Sequence, residues 1–114
     1  MWLVTPAIGI GALLLTSEPQ IASTDLDSFA AFAGRVLGIA DKCGTADREA
    51  LAGTAEAVFD VINDLSNDTE AIARATERFA VNVALGAAAV EADTVRCADA
   101  QAMYLRLEHR IRRF

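Results

Sequence analysis

Residues 68–114 read DTEAIARATERFAVNVALGAAAVEADTVRCADAQAMYLRLEHRIRRF. Apolar or small side chains recur here at alternating steps of three and four: Ile72, Thr76, Phe79, Val83, Gly86, Val90, then Cys97, Ala100, Tyr104, Leu107, Ile111 and Phe114. That spacing draws one stripe along an α-helical surface. Asp93 alone interrupts it. As a single helix the stretch would reach about 70 Å, at about 1.5 Å per residue.

Two shorter helical patterns precede it. The first runs from about Asp25 to Lys42, behind Thr24 as a candidate N-cap, with Asp25 and Asp27 where the helix dipole favours acids. Its apolar face takes in Leu26, Phe29, Ala30, Phe32, Ala33, Val36, Leu37, Ile39 and Ala40. A face that wide touches two neighbours rather than one. Gly34 and Gly38 sit beside it at GxxxG spacing, while Asp27, Arg35 and Asp41 rule out a bilayer span. Each glycine costs a water-exposed helix up to about 1 kcal/mol against alanine. Close approach of another backbone would offset that cost.

Cys43-Gly44 closes this helix, with Gly44 suited to a left-handed C-cap. Thr45 is the expected cap of a second helix, about Ala46 to Leu65, carrying Leu51, Ala55, Val58, Ile62 and Leu65 on one stripe. So short a connection predicts antiparallel packing. Ser66-Asn67-Asp68 forms the next break and cap.

These two helices would span only about 27–30 Å each. An unbroken third helix would project far beyond them with its stripe uncovered. A break near Glu91–Thr94 removes the mismatch, with Asp93 or Thr94 capping a fourth helix over about Val95 to Arg112. The predicted fold is therefore all-α: an up-down-up-down four-helix bundle over residues 24–114, preceded by an apolar leader and linker over residues 1–23. In that topology Cys43 ends helix one at the same end where Cys97 opens helix four. A Cys43–Cys97 disulfide is expected, closing a loop of about 54 residues and stabilising on the order of 4 kcal/mol in the chain-entropy model. Such a bond implies an oxidising compartment, and two unrelated buried thiols in a cytoplasmic protein are the alternative.

Composition agrees with helices. Hydrophobic residues make up 54% of the 114-residue chain, with few glycines and only two prolines, Pro6 and Pro19. Much of the apolar content is alanine, which favours helix but buries little area. Sixteen acids against ten bases leave a net charge of −6, which argues against a nucleic-acid-binding surface. Arg106, Arg110, Arg112 and Arg113 nonetheless crowd the last turns beside His109. Cations suit a helix C-terminus, and the solvated reading is preferred. The same arginines are the candidates for contact with an anion or a membrane surface, although four charges make a weak anchor.

Met1–Thr16, MWLVTPAIGIGALLLT, is apolar and free of charge. It falls short of the roughly 20 residues of a comfortable membrane span and fits the apolar core of a secretory signal peptide. No Lys or Arg follows Met1, and no clean small-x-small cleavage site appears before Ser23. The preferred reading is a signal peptide, with an uncleaved anchor or an apolar arm packed on the domain as alternatives.

Catalytic patterns are missing. The sequence has no CxxC, HExxH, ExxH or CxxCH, and no glycine-rich phosphate loop. His109, the single histidine, falls away from the apolar stripe with no carboxylate in clear relation to it. Asp60, Asp64 and Asp68, with Asn63 and Asn67, crowd one turn but lack the spacing and glycine of an EF-hand. Asn67-Asp68-Thr69 matches the glycosylation triplet, which is frequent by chance. No cofactor, metal or enzymatic activity is expected.

Phe79–Val90, FAVNVALGAAAV, is apolar on every side except Asn82. Burial is the preferred reading, and an interface the alternative. Phe79, Val81, Leu85, Ala88 and Ala89 are the candidate interface residues. The expected function is that of a non-enzymatic periplasmic or secreted protein that binds another protein as an inhibitor, adaptor, immunity or chaperone-like factor. A homo-oligomeric structural protein and a membrane-tethered small protein are the alternatives.

Overall fold

The computed structural model describes residues 23–114. Both the leader and most of the linker expected over residues 1–23 therefore lie outside the described residues. Four α-helices follow in order: α1 (Ser23–Cys43), α2 (Arg48–Leu65), α3 (Thr69–Glu91) and α4 (Ala100–Arg112), with a 3-10 turn at Cys97–Asp99. The chain is all-helical over this range, as its periodicity predicts, and the helices alternate in direction.

The directions follow from cross-helix pairs. Asp27 meets Arg74 and Lys42 meets Glu91, so α1 and α3 run parallel. Cys43 bonds Cys97 while Phe29 packs on Phe114, so α4 returns antiparallel to α1. Phe59 packs edge-on against Phe79, with ring centroids 5.1 Å apart, where α2 passes antiparallel to α3.

α1 is the hub. Leu26, Phe29, Ala30, Ala33, Val36, Leu37, Ile39 and Ala40 are all buried. The wide apolar face serves three neighbours rather than two, because α1 packs on α2, α3 and α4, while α3 and α4 make no extended contact. The tightest seam is α1 on α3, a parallel pair, whereas the chain-adjacent antiparallel pairs are looser. Small residues explain it. α3 turns Ala71, Ala75, Asn82 and Gly86 inward, and α1 turns Gly34 and Gly38 toward them. A Cβ added at Gly34, Gly38 or Gly86 would collide with backbone of the opposing helix. The close backbone approach that the GxxxG spacing called for is thus supplied by α3.

Larger side chains of the α3 stripe, Ile72, Phe79 and Val83, pack against the core beside this seam. From α2 the core takes Val58, Val61 and Ile62, and from α4 Ala100, Tyr104 and Leu107. Buried Tyr104 keeps its hydroxyl satisfied 2.7 Å from Thr54 Oγ1.

The helix ends refine the sequence reading at four places. Asp47, not Thr45, caps α2: its Oδ1 accepts from the Ala50 N–H at 2.8 Å. Thr24 falls inside α1, which already includes Ser23. Asp93 does break the long stripe, but by ending α3 rather than capping α4. Its φ is +62°, and the Thr94 N–H bonds back to the Ala89 carbonyl at 3.0 Å, five residues earlier, closing a Schellman turn. Gly44 does the same for α1 with φ +68°, the Thr45 N–H reaching the Ala40 carbonyl at 2.9 Å. The fourth helix then starts at Ala100 instead of Val95, because residues between Thr94 and Asp99 are used to cross the bundle end and form the 3-10 turn. Asp68 caps α3 as its sequence predicts, its Oδ1 accepting from the Glu70 N–H at 3.0 Å.

Candidate functional site

Cys43 and Cys97 are joined, with Cα atoms 5.4 Å apart, and among the described residues no cysteine is free. The Schellman turn after α1 and the crossing after α3 deliver the two sulfurs to one end of the bundle. A disulfide there fits an oxidising compartment. Beside it, Lys42 Nζ donates to Glu91 Oε2 at 2.6 Å. That hydrogen bond, reinforced by the opposite charge, raises the Lys42 ammonium above its ordinary range and lowers the Glu91 carboxyl below its own. At this end the disulfide ties the α1 terminus to the 3-10 turn that opens α4, and the ion pair ties it to the α3 terminus.

The apolar Phe79–Val90 segment divides into two faces. Phe79 is in the core, so it belongs to the packing of the bundle and not to its surface. Val81 and Leu85 are exposed to 51% and 48%, and Ala80, Ala84 and Ala88 are exposed alongside them, with Ala89 half-buried. Position decides this. The inward arc follows Ala75, Phe79, Asn82 and Gly86, which leaves Val81, Ala84, Leu85 and Ala88 on the outward one.

A shallow groove of about 530 Å³ runs beside this face, between α1 and α3. Val81, Leu85 and Ala31 line it with Asn82, and Arg74, Glu77 and Arg78 edge it. Asn82 is buried and donates its amide to the Arg78 carbonyl at 2.9 Å. Arg74 lies 3.4 Å from Asp27 Oδ2, and Asp27 Oδ1 is buried with no hydrogen-bond partner among the described residues. An apolar floor with a charged edge is the anatomy of a modest protein-binding patch.

No family model matches the chain, and no curated protein or solved structure matches it either.

The arginines named from the sequence separate as well. Arg110 stacks over the Phe29 and Phe32 rings, 5.6 and 5.4 Å from their centroids. Arg106 and Arg113 are exposed on the outward side of α4, while Arg112 lies toward α2, lining a second groove with Glu108, Ala57 and Gly53. His109 is exposed. Asp60, Asp64 and Asp68 do not converge: among the described residues no group of three or more His, Cys, Asp or Glu is placed to hold a metal ion. No described helix is long and apolar enough to cross a membrane.

The exposure of Val81 and Leu85 was hidden in the sequence, where an all-apolar segment does not say which side faces the neighbour. The buried small residues Ala71, Ala75 and Gly86 carried the signal, since they mark the side of closest approach.

Proposed function

We propose that this protein is an exported, non-enzymatic helical bundle that binds another protein through the outward face of α3. The observation that supports the reading is the exposed apolar run Val81, Ala84, Leu85 and Ala88 on an otherwise acidic chain. Exposed leucine and valine at helical i, i+4 spacing offer two anchors to a partner helix or strand. The disulfide supports residence in the periplasm or outside the cell, where such bonds persist. Rigid seams on the buried side of α3 hold the face in place, so a partner need not order it on binding.

A photo-reactive amino acid at Leu85, in the producing cell, tests the reading against the same probe at Glu56 on exposed α2. A single partner cross-linked only from Leu85, binding the purified protein at micromolar affinity or tighter and released at least tenfold by Leu85→Arg, supports it. A cross-link only to a second copy of this chain favours a self-assembling role, and no Leu85-specific product overturns the reading.

A further inference from the structure

We propose, on the reading that Val81 and Leu85 anchor a partner, that the partner is an acidic amphipathic helix. It seats in the trough between α1 and α3 with its carboxylates at Arg35 and Arg78.

The α1–α3 seam is covered on one side only. There α2 lies over it, with Leu51 and Ala55 beside Leu37, Phe79 and Val83. On the other side the groove of Ala31, Val81 and Leu85 continues past Arg78 into a hollow of about 270 Å³ at Asp27 and Ser28. Among the described residues only α1 and α3 line this trough. From Arg74 to Leu85 it is about 16 Å long, or three turns of helix. Ser28 and Ala31 keep its α1 wall low. A third helix fits such a gap at the usual spacing of about 8–10 Å, its apolar side chains at i, i+3 or i+4 and i+7 facing the floor. The partner then takes on the open side the place that α2 takes on the covered one.

Charge chooses the helix. Arg78 lines the trough at its Asp27 end. Arg35 follows Ser28 and Ala31 on one face of α1. A Cβ on Gly86 would stand 3.2 Å from the Arg35 Cα, which sets Arg35 level with Leu85. Both arginines are exposed, and neither joins an ion pair with a described residue. Two cations thus stand about two helical turns apart with the apolar floor between them. Acids collect instead on α2, across the seam, where Glu49, Glu56, Asp60 and Asp64 face Arg48 alone.

Two acids do border the trough, and they fix the register. Asp27 holds Arg74, and its buried Oδ1 needs a donor rather than a second carboxylate. Glu77, at the edge, repels an acid there. The partner therefore brings its carboxylates to Arg35 and Arg78, about seven residues apart, and a hydroxyl or amide to Asp27. Complementarity of this kind sets partner choice more than affinity.

The test titrates the purified protein into a fluorescent alanine-based peptide of about 18 residues, long enough to form helix in water. It carries two glutamates seven apart and two leucines between them on the same face. Two analogues replace both glutamates by glutamine or by lysine. The acidic peptide is expected to bind about fivefold tighter than the glutamine form, less so with added salt. Arg35→Glu with Arg78→Glu lowers its affinity at least tenfold and transfers the preference to the lysine form. Arg48→Glu with Arg96→Glu makes the same charge change away from the trough and leaves affinity within about twofold. Circular dichroism checks that both variants fold. Equal binding of the acidic and glutamine peptides, an equal loss in both variants, no binding, or preferential binding of phosphatidylglycerol vesicles overturns the proposal. A partner cross-linked from Leu85 that binds the Arg35 and Arg78 variant unchanged also overturns the acidic helix, while the partner face stands. Peptide binding as expected with no Leu85-specific product in the cell supports the acidic helix and removes the cellular reading alone.

Discussion

Gly38 of α1 lies directly against the Val83 carbonyl of α3, so closely that no side chain fits between the two backbones. A Cβ built on Gly38 would stand 2.9 Å from the Val83 carbonyl carbon and 3.1 Å from the Ala87 nitrogen. Gly34 and Gly86 repeat the relationship against Phe79 and Arg35. This glycine seam makes the parallel α1–α3 pair the tightest in the bundle.

Helix propensity and packing therefore oppose each other at Gly38, and packing wins. Gly38→Ala gains up to about 1 kcal/mol of propensity. Pushing two backbones apart costs about 1–3 kcal/mol and more where neither can yield. A net loss of about 2 kcal/mol is expected in urea denaturation. Gly53, which has open space where its Cβ would go, gives the opposite sign: Gly53→Ala stabilises by about 0.5–1 kcal/mol. A gain in both variants would contradict the seam.

The disulfide supports α4, which packs on α1 and α2 but not along α3. Cys43 and Cys97 are 54 residues apart. Replacing both by Ser removes about 4 kcal/mol in the chain-entropy model, lowering Tm by at least ~15 °C for a domain of this size. Calorimetry with and without reductant checks this. Reductant should shift the native protein and leave the double variant unchanged.

Asp93 holds a left-handed backbone that glycine adopts without a Cβ penalty. Its φ of +62° ends α3. Aspartate tolerates this region better than most residues, so the remaining strain is at most about 1 kcal/mol. Asp93→Gly should raise stability by up to that amount, read as a higher urea midpoint. Asp93→Val, β-branched, should lower it.

Lys42 and Glu91 supply a pH dependence of known sign. The Glu91 carboxyl titrates below its ordinary range because Lys42 hydrogen-bonds its charged form, so the folded state binds that proton less readily than the unfolded chain. Its stabilising contribution is present above the ordinary carboxylate range and is lost as pH falls through the lowered value. Lys42 titrates above its ordinary range, so its contribution holds below the lysine range and fades as pH rises through the raised value. Both side chains are largely solvated, so the effect is small and added salt weakens it. Glu91→Gln should flatten the acid limb of the stability profile in low salt, with little change at high salt. An unchanged acid limb would sink this assignment.

Much of the architecture could be read from residue order. The three-four spacing from Ile72 to Phe114, the misfit at Asp93, Gly44 after Cys43 and the need to equalise helix lengths together point to four alternating helices with Cys43 opposite Cys97. Those signals are local, or follow from chain length, and they survive into the fold because each is satisfied within one helix or one turn. Cap identity was less legible, since Thr45 and Asp47 both suit the start of α2 and only the path from Gly44 selects Asp47.

What sequence could not decide was which helix lies against which, and so which residues face out. Short connections predict only that chain neighbours run antiparallel, while Gly34, Gly38 and Gly86 let α1 and α3 approach more closely than any adjacent pair. That choice turns Phe79 inward and leaves Val81 and Leu85 in solvent. It also sets Phe114 and Arg110 beside Phe29 of α1. Helical periodicity fixes angles about one axis. The rotation of each axis against its neighbours is settled by backbone approach and side-chain volume, which only the assembled bundle brings into contact.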